Sequence, residues 1–182
     1  MATTTPVLDG TYELDRTHST VQFAVRHAGV STFRGSFVDF GARLIIEEGV
    51  AVLEAGAAVQ SISIVDPPEF REHVVQGNDF FAADAHPRIV FESARIDLVE
   101  DARSTVYGGL EIRGVRRPVT AMATFTPPTE DPFGNTRIGL AVNATIDRRG
   151  WGMDWQLQLP SGGDALGWDV DVSAHLEFTK DV

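Results

Sequence analysis

Residues Asp15–Phe37 have the sequence DRTHSTVQFAVRHAGVSTFRGSF, and the pattern of this stretch recurs along the rest of the chain. In its first half, every second position from residue 21 is apolar, with Val21, Phe23 and Val25, and the row ends in His27. A side-chain period of two is typical of a β-strand with one buried face. Ala28-Gly29 predicts a tight turn, after which residues 32–37 begin a return strand. The stretch therefore predicts a hairpin whose apolar face ends in polar His27, an arrangement that suits a pocket wall as well as a packed core.

Composition places the chain among globular proteins of one domain. Its 182 residues are 43% hydrophobic and include no cysteine, which excludes disulfides and thiolate chemistry. The formal net charge of −11 argues against nucleic acid or an anionic membrane surface as a partner. No apolar run approaches the roughly 20 residues that span a bilayer. Because the start of the chain lacks the basic and apolar regions of a signal peptide, we expect a cytoplasmic protein without membrane insertion.

Alternating apolar residues predict eight strands, most of them antiparallel because their connections are short. Regularly spaced strands of this kind favour a barrel or a sandwich, and an eight-stranded barrel either fills its interior or holds one small ligand. The predicted strands cover about 11–27, 34–48, 50–64, 88–99, 104–114 and 118–126, followed by the alternating runs Ile138–Ile146 and Trp168–Phe178.

Other segments separate these strands. After the third strand, Asp66-Pro67-Pro68-Glu69 predicts a short helix capped by Asp66, with Pro67 at its first position and Gly77 after its end. Arg116-Arg117-Pro118 predicts a turn, residues 126–135 a loop, and residues 148–167 a mobile flap. Residues 1–9 are expected to form a flexible N-terminus, and residues 10–182 a single domain.

The third strand has small side chains on a face that should be buried, where Ala55 and Ala57 lie between Leu53 and Val59. These alanines leave room inside the barrel. Either the helix packs closely at this position, or a ligand fills the space.

Signals for catalysis are weak. The five histidines, His18, His27, His73, His86 and His175, have no metal-ligand spacing. The chain has no Gly-x-Ser-x-Gly motif, and Gly108-Gly109 lies within a predicted strand and opens no phosphate-binding helix. We therefore expect a protein that is not an enzyme and that needs neither a cofactor nor a metal.

Four separated motifs resemble one family. Their residues are Tyr12, Leu14, Asp15, His18, Ser19, Phe23, His27, Gly35 and Phe37; then Gly77, Asp79, Phe80, Phe81, Pro87, Phe91 and Ser93; then Gly108, Leu110, Gly114, Val115, Arg117, Pro118 and Val119; and finally Asp147, Arg148 and Gly150. In order and spacing the chain resembles the YceI-like family, the lipocalin-like polyisoprenoid-binding proteins, over roughly residues 10–180.

The resemblance implies an extended, lipocalin-like antiparallel barrel whose apolar interior takes a long isoprenoid tail, often in a homodimer. We expect the chain to carry or sequester a polyprenyl or isoprenoid-quinone lipid without catalysis. A stress-related scaffold with a filled barrel is the alternative, and a hydrolase is a weaker one. Two features depart from the family. Many relatives have a secretory signal, whereas the start of this sequence shows no such pattern. The usual Asp-Phe-Gly is replaced here by Arg149-Gly150-Trp151-Gly152.

A lipid of this kind needs an apolar cavity and a polar mouth. The candidates for lining the cavity are Phe23, Val25, Phe80, Phe81, Phe91, Leu110, Phe125 and Trp151, and ordinary core packing remains the alternative for each. The candidates for the mouth are His18, Ser19, His27 and Arg117. For His18 and Ser19 the alternative is a hydrogen-bonded strand end, for His27 a buried histidine, and for Arg117 a turn residue.

Overall fold

A computed structural model describes residues 9–98 and 103–181 of the chain. Residues 1–8 of the predicted N-terminus lie outside the described residues. The strands are β1 (Gly10–Leu14), β2 (Thr20–His27), β3 (Ser31–Phe37), β4 (Phe40–Glu47), β5 (Val50–Ala58), β6 (Arg88–Asp97), β7 (Arg103–Ile112), β8 (Val115–Glu130), β9 (Thr136–Asp147) and β10 (Leu166–Lys180). In the described part of the chain the single α-helix is α1 (Pro68–Gln76), and it is too short to cross a membrane.

The strands form an antiparallel sheet in the order β1-β4-β5-β6-β7-β8-β9-β10, and pairing of β1 with β10 closes it into an eight-stranded barrel. The hairpin of β2 and β3 continues the sheet from the first half of β10. This architecture confirms the predicted all-β barrel with a short helix.

Two predicted strands are each divided in the structure. A 3₁₀ helix (Arg16–His18) separates β1 from β2, and Val38-Asp39 separates β3 from β4. The two interruptions lie side by side, since Arg16 Nη2 donates hydrogen bonds to Val38 O at 3.3 Å and Asp39 Oδ1 at 3.1 Å. Along the barrel axis, β1 and β4 therefore form the wall beside the end of β10, and β2 and β3 take their place beside the first part of β10.

The two ends of the barrel are defined by strand register. At the hairpin end lie the β2–β3 turn, the start of β10 and the β7–β8 turn, because His27 is opposite Leu166 and Ile112 is opposite Val115. At the far end β1 begins and β10 finishes, with Tyr12 opposite Lys180.

Two predicted connections are wrong. Arg116, Arg117 and Pro118 belong to β8, and the turn consists of Arg113 and Gly114, whose φ angles are 55° and 69°. The first half of the predicted loop at residues 126–135 is also strand, because β8 continues to Glu130 and only residues 131–135 form the connection. Its pairing with β9 shifts between Thr126 and Thr129, which is where two prolines without an N–H group interrupt the ladder.

Helix α1 begins later than predicted. Pro67 is the N-cap residue and no side chain caps the helix, so the predicted cap by Asp66 is wrong. Pro68 takes the first helical position, where a missing N–H is harmless. The end is as predicted, since the Gly77 N–H donates to His73 O at 2.7 Å. The predicted third strand also stops early, at Ala58, before a 3₁₀ helix (Val59–Ser61).

Candidate functional site

Several inward positions in the middle of the barrel are small and partly accessible. In β9, Leu140 is 2% exposed, whereas the next two inward positions, Val142 and Ala144, remain partly accessible. In β10, Phe178 is fully buried, whereas Ala174 is partly accessible. The strands across the barrel repeat this change, from Leu44 and Leu53 to Ala42 and Ala55. These partly accessible positions form a middle layer of small side chains, Ala42, Ala55, Val142, Ala144 and Ala174.

Strand pairing joins this middle layer to aromatic residues. Ala55 lies opposite Phe91 in β6, and Val172, which pairs with Ala144, also lies opposite Phe23 in β2. Both phenylalanines are partly accessible. Of the two predicted explanations for the alanines of the third strand, a space for a ligand suits Ala55, whereas Ala57 is 5% exposed and packs in the core.

Two glycines make room for these aromatic rings. A Cβ atom on Gly35 would lie 2.5 Å from Phe23 Cζ, and a Cβ atom on Gly108 would lie 2.6 Å from Phe91 Cζ. The absence of these side chains lets each ring cover the neighbouring strand. Gly35 and Gly108 both occur in the motifs identified from the sequence.

The barrel wall is interrupted beside β3. One edge of this strand pairs with β2, while its other edge meets the chain after β5 through the Phe37–Ile62 bridge. A row of aromatic contacts crosses from this edge into the barrel: Phe33–Phe23 at 6.0 Å, Phe23–Phe37 at 5.7 Å and Phe37–Phe81 at 6.2 Å between ring centroids. Phe33 at the outer end of the row is 37% exposed. The row therefore forms an apolar path between the surface and the interior.

The structure divides the predicted lining residues into two groups. The buried group consists of Val25, Phe80, Phe125 and Trp151. The partly accessible group consists of Phe23, Phe81, Phe91 and Leu110. Phe80 lies in a separate aromatic cluster, 5.2 Å from His73 and 5.5 Å from Trp155 between ring centroids. The partly accessible group therefore contains the better candidates for touching a ligand.

Trp151 helps to close the hairpin end. It lies in a 3₁₀ helix (Arg148–Trp151), packs with Ile112, Ile146 and Met153, and donates a hydrogen bond from Nε1 to Leu110 O at 3.2 Å. The loop that follows connects β9 to β10 over this end of the barrel.

Arg148 holds that loop in place. Its guanidinium is buried and donates to the carbonyl groups of residues on both sides of the loop, namely Met153, Trp155, Leu166 and Gly167, at 2.6–3.4 Å. The guanidinium also lies 4.3 Å from the centroid of the Trp168 ring, and burial lowers the pKa of Arg148. These contacts argue against the predicted mobile flap. The resemblance singled out Arg148, but its local pattern did not predict its burial.

The four predicted mouth residues fall in two places. His27 and Arg117 are exposed at the hairpin end, so the alternatives of a buried histidine and a turn arginine are both wrong. His18 and Ser19 belong instead to the connection between β1 and β2, and Ser19 is 6% exposed. Its hydroxyl donates to Asp15 O at 2.7 Å and accepts from the Glu177 N–H at 2.9 Å. This geometry matches the alternative of a hydrogen-bonded strand end.

Charged side chains surround this connection. Arg137 Nη1 lies 2.6 Å from both Asp15 Oδ2 and Glu177 Oε1, and Arg137 Nε lies 2.6 Å from Asp131 Oδ2. His18 Nδ1 lies 3.0 Å from Asp15 Oδ2. Hydrogen bonds from Arg137 and then His18 hold the pKa of Asp15 well below its usual range, and the bond to Asp15 raises the pKa of His18.

By distance alone, the ligand atoms of Asp15, His18 and Glu177 are close enough to hold a metal ion, within 4.8 Å of one another. Spacing along the chain did not predict this cluster because Glu177 comes from the last strand. Arg137 pairs with both of its carboxylates, so the arrangement has the character of an ion-pair network that joins the β1–β2 connection to β9 and β10.

An outward groove of about 630 Å³ crosses the sheet from β3 to β8. Most of its outward side chains are polar, among them Gln22, Asn143, Thr145, Asp171 and Ser173, and it also reaches Phe23, Ala144 and Val172. The inward face of the barrel is more apolar than this polar surface, and we take it as the candidate site for an apolar tail.

Comparisons with known proteins cover nearly the whole chain. Residues 12–178 match the family model described as the YceI-like domain. The UPF0312 protein SA2479 of Staphylococcus aureus is 29% identical over 172 residues, covering 92% of this chain and 96% of that protein.

Two solved structures share the fold. Burkholderia cenocepacia BcnA has a TM-score of 0.71 at 20% identity, covering 90% of this chain and 98% of that one. A polyisoprenoid binding domain from Saccharophagus degradans, implicated in plant cell wall breakdown, has a TM-score of 0.68 at 14% identity, covering 93% and 98% of the two chains.

Proposed function

This chain belongs to the YceI-like family, and from that premise we propose that it binds a long isoprenoid lipid inside its barrel. The lipid is of the polyprenyl or isoprenoid-quinone type, and the protein carries or sequesters it without chemical change. A structural neighbour described as a polyisoprenoid binding domain supports this choice of ligand.

The observation that carries the proposal is the partly accessible middle layer of small side chains on the inward face of the barrel. Ala144 and Ala174 are small and only partly buried at inward positions, where larger side chains would fill more of the barrel. Burial of one CH₂ group contributes about 0.8 kcal/mol, so a branched tail gains affinity from length alone. Ordering the tail offsets part of this gain.

The polar end of the lipid would lie at the hairpin end. His27 and Arg117 are exposed there, and both can donate hydrogen bonds to a quinone carbonyl or a phosphate. We assign no such role to Ser19, whose hydroxyl is already bonded to the backbone.

The direct test is native mass spectrometry, with organic extraction, of the protein purified from its own host. We expect a co-purifying prenyl chain or isoprenoid quinone, which the extract would identify. A mass without ligand, together with no uptake of added isoprenoid lipids, would contradict the proposal and favour a filled scaffold.

A pair of variants locates the site. Ala144→Phe places a ring in the middle layer and should abolish lipid uptake, because the ring occupies the space that the tail needs. Ala141→Phe is the matched control, since Ala141 lies in the same strand on the opposite, outward face. Equal lipid content in the two purified variants would rule out the middle layer as the binding site.

A further inference from the structure

Acidic residues are absent from one segment of this acidic chain. The sequence contains 26 Asp and Glu residues, yet none occurs between Arg16 and Val38. The β2–β3 hairpin lies within that segment and carries Arg26 and Arg34, both exposed. The hairpin is therefore locally basic in a molecule with a net charge of −11.

Exposed apolar side chains gather around the same hairpin. Val30 in its turn is 83% exposed, and Leu157 on the adjacent loop is 60% exposed. One hydrogen bond joins the turn to the loop, from Ala28 N to Ala165 O at 2.7 Å, and a second within the loop connects Ala165 N to Leu157 O at 2.9 Å.

A third exposed apolar residue lies along the open edge of β3. The Phe37–Ile62 bridge and the hydrogen bond from Ser63 N to Ser36 O set the following residues antiparallel to β3. Val65 follows two residues after this pairing and is 81% exposed. Together, four side chains form an apolar rim: Val30, Phe33, Val65 and Leu157.

From this combination we infer that the hairpin end docks on a phospholipid surface, with the apolar rim among the head groups and Arg26 and Arg34 near the phosphates. The inference deepens the proposed function and rests on it. Separate apolar turns flanked by arginines suit a fluid interface better than a flat protein surface. Phe33 belongs both to the rim and to the aromatic path, so a lipid tail could pass into the barrel without crossing water.

The negative charge of the rest of the molecule determines which side of the protein faces the phospholipid surface. The neighbouring loop carries Asp154 and Asp164, and Asp164 accepts hydrogen bonds from Trp168 Nε1 and Gln158 Nε2 at 2.8 and 2.9 Å. Exposed Asp171 lines the same groove as Arg34, and exposed Asp66 follows Val65, so the basic character is confined to the hairpin itself. Phosphates would repel most other surfaces of the chain, which favours approach through the hairpin. Docking should therefore weaken as salt screens the two arginines.

The test is co-flotation of the full chain with phosphatidylcholine vesicles that contain a minority of phosphatidylglycerol. The double variant V30D/L157D should lower the floated fraction about tenfold or more, since it removes two apolar side chains from the interface and adds two negative charges. Arg34→Glu should lower it as well. Phe133→Asp is the matched control because Phe133 is 88% exposed, on the loop between β8 and β9 at the far end. Circular dichroism checks that each variant is folded.

A second assay separates this inference from the proposed function. Uptake of dispersed farnesol, a short isoprenoid alcohol, is measured without vesicles, and V30D/L157D should retain it. A wild-type protein that takes up farnesol but does not float would overturn docking and leave the proposed function standing. Flotation that depends on the rim, with no isoprenoid uptake, would support docking and contradict lipid carriage. An equal loss of flotation in Phe133→Asp would also overturn the rim.

Discussion

At the connection between β1 and β2, a few side chains connect distant strands. The Asp15 carboxylate accepts from the Thr17 N–H at 3.0 Å within its own turn and from Arg137 of β9. The Ser19 hydroxyl bonds this turn to β10 through Glu177. The motif residues Asp15, His18 and Ser19 therefore fix the position at which one strand ends and the next begins.

His18 should make stability depend on pH above its unfolded pKa of about 6.5. The folded pKa of His18 is raised above its ordinary 6.5, first by the hydrogen bond to Asp15 and then by the charges of Asp15 and Glu177, while Arg137 opposes them. A raised pKa contributes stability that is complete below the unfolded value of about 6.5 and is lost as pH rises through the folded pKa. We expect the melting temperature to fall slightly across this interval, and His18→Gln to remove that slope.

NMR titration of the His18 ring and melting curves at several pH values provide the measurement. Because His18 is exposed, the effect should be small. His175→Gln is the control, since His175 is exposed on β10 and has no resolved role in the network. A His18 pKa at or below about 6.5 would contradict this prediction.

At the scale of strands, glycine positions set how closely the aromatic rings approach the sheet. A Cβ atom on Gly108 would lie 2.6 Å from Phe91 and 2.7 Å from Glu92 O, and a backbone carbonyl in a paired strand cannot easily move. Gly108→Ala should therefore destabilise the fold by about 1–3 kcal/mol. Gly41→Ala is the control, because a Cβ atom on Gly41 in β4 would meet nothing within 4 Å.

Urea unfolding measures the stability of both variants. Their midpoints can be compared when the unfolding free energy depends equally on urea concentration in each. We expect Gly41→Ala to leave stability unchanged or to raise it by about 0.4–1 kcal/mol, because it restricts the unfolded chain. Equal midpoints for the two variants would show that contact with the Phe91 ring does not restrict position 108.

Strand alternation predicted the barrel well because an inward face must be apolar at every second residue. It did not predict the strand interruptions, because the hydrogen bond between Arg16 and Asp39 joins residues that are distant in the sequence. The turn at Arg113 was missed because Pro118 is a strong local signal, yet in β8 that proline only removes one donor. Local patterns therefore identified the strands more reliably than their ends.

For the candidate site, sequence could predict residue type and face but not completeness of packing. Phe125 and Phe91 both lie on inward faces, yet Phe125 is 3% exposed and Phe91 keeps accessible surface. The difference depends on neighbours in other strands, such as Ala55 opposite Phe91. His18 was assigned to the mouth because the charged residues around it, Arg137 and Glu177, are distant in the sequence and local patterns could not predict them.

For the whole molecule, lipid binding should be coupled to stability. A ligand that binds only the folded state adds RT ln(1 + [L]/Kd) to the free energy of unfolding, about 2.7 kcal/mol at a hundredfold excess over Kd. For a chain of this length that corresponds to a rise of about 5–10 °C in melting temperature. We expect delipidated protein to melt lower than protein refilled with an isoprenoid lipid.

Differential scanning calorimetry on delipidated and refilled samples measures the shift. Ala144→Phe should show no shift, because its ring occupies the middle layer, whereas Ala141→Phe should respond as the wild type does. A wild-type protein whose melting temperature is the same with and without saturating lipid would indicate a barrel already filled by its own side chains. The scaffold alternative would then account for the fold, and the accessible middle layer would be a packing defect without a ligand.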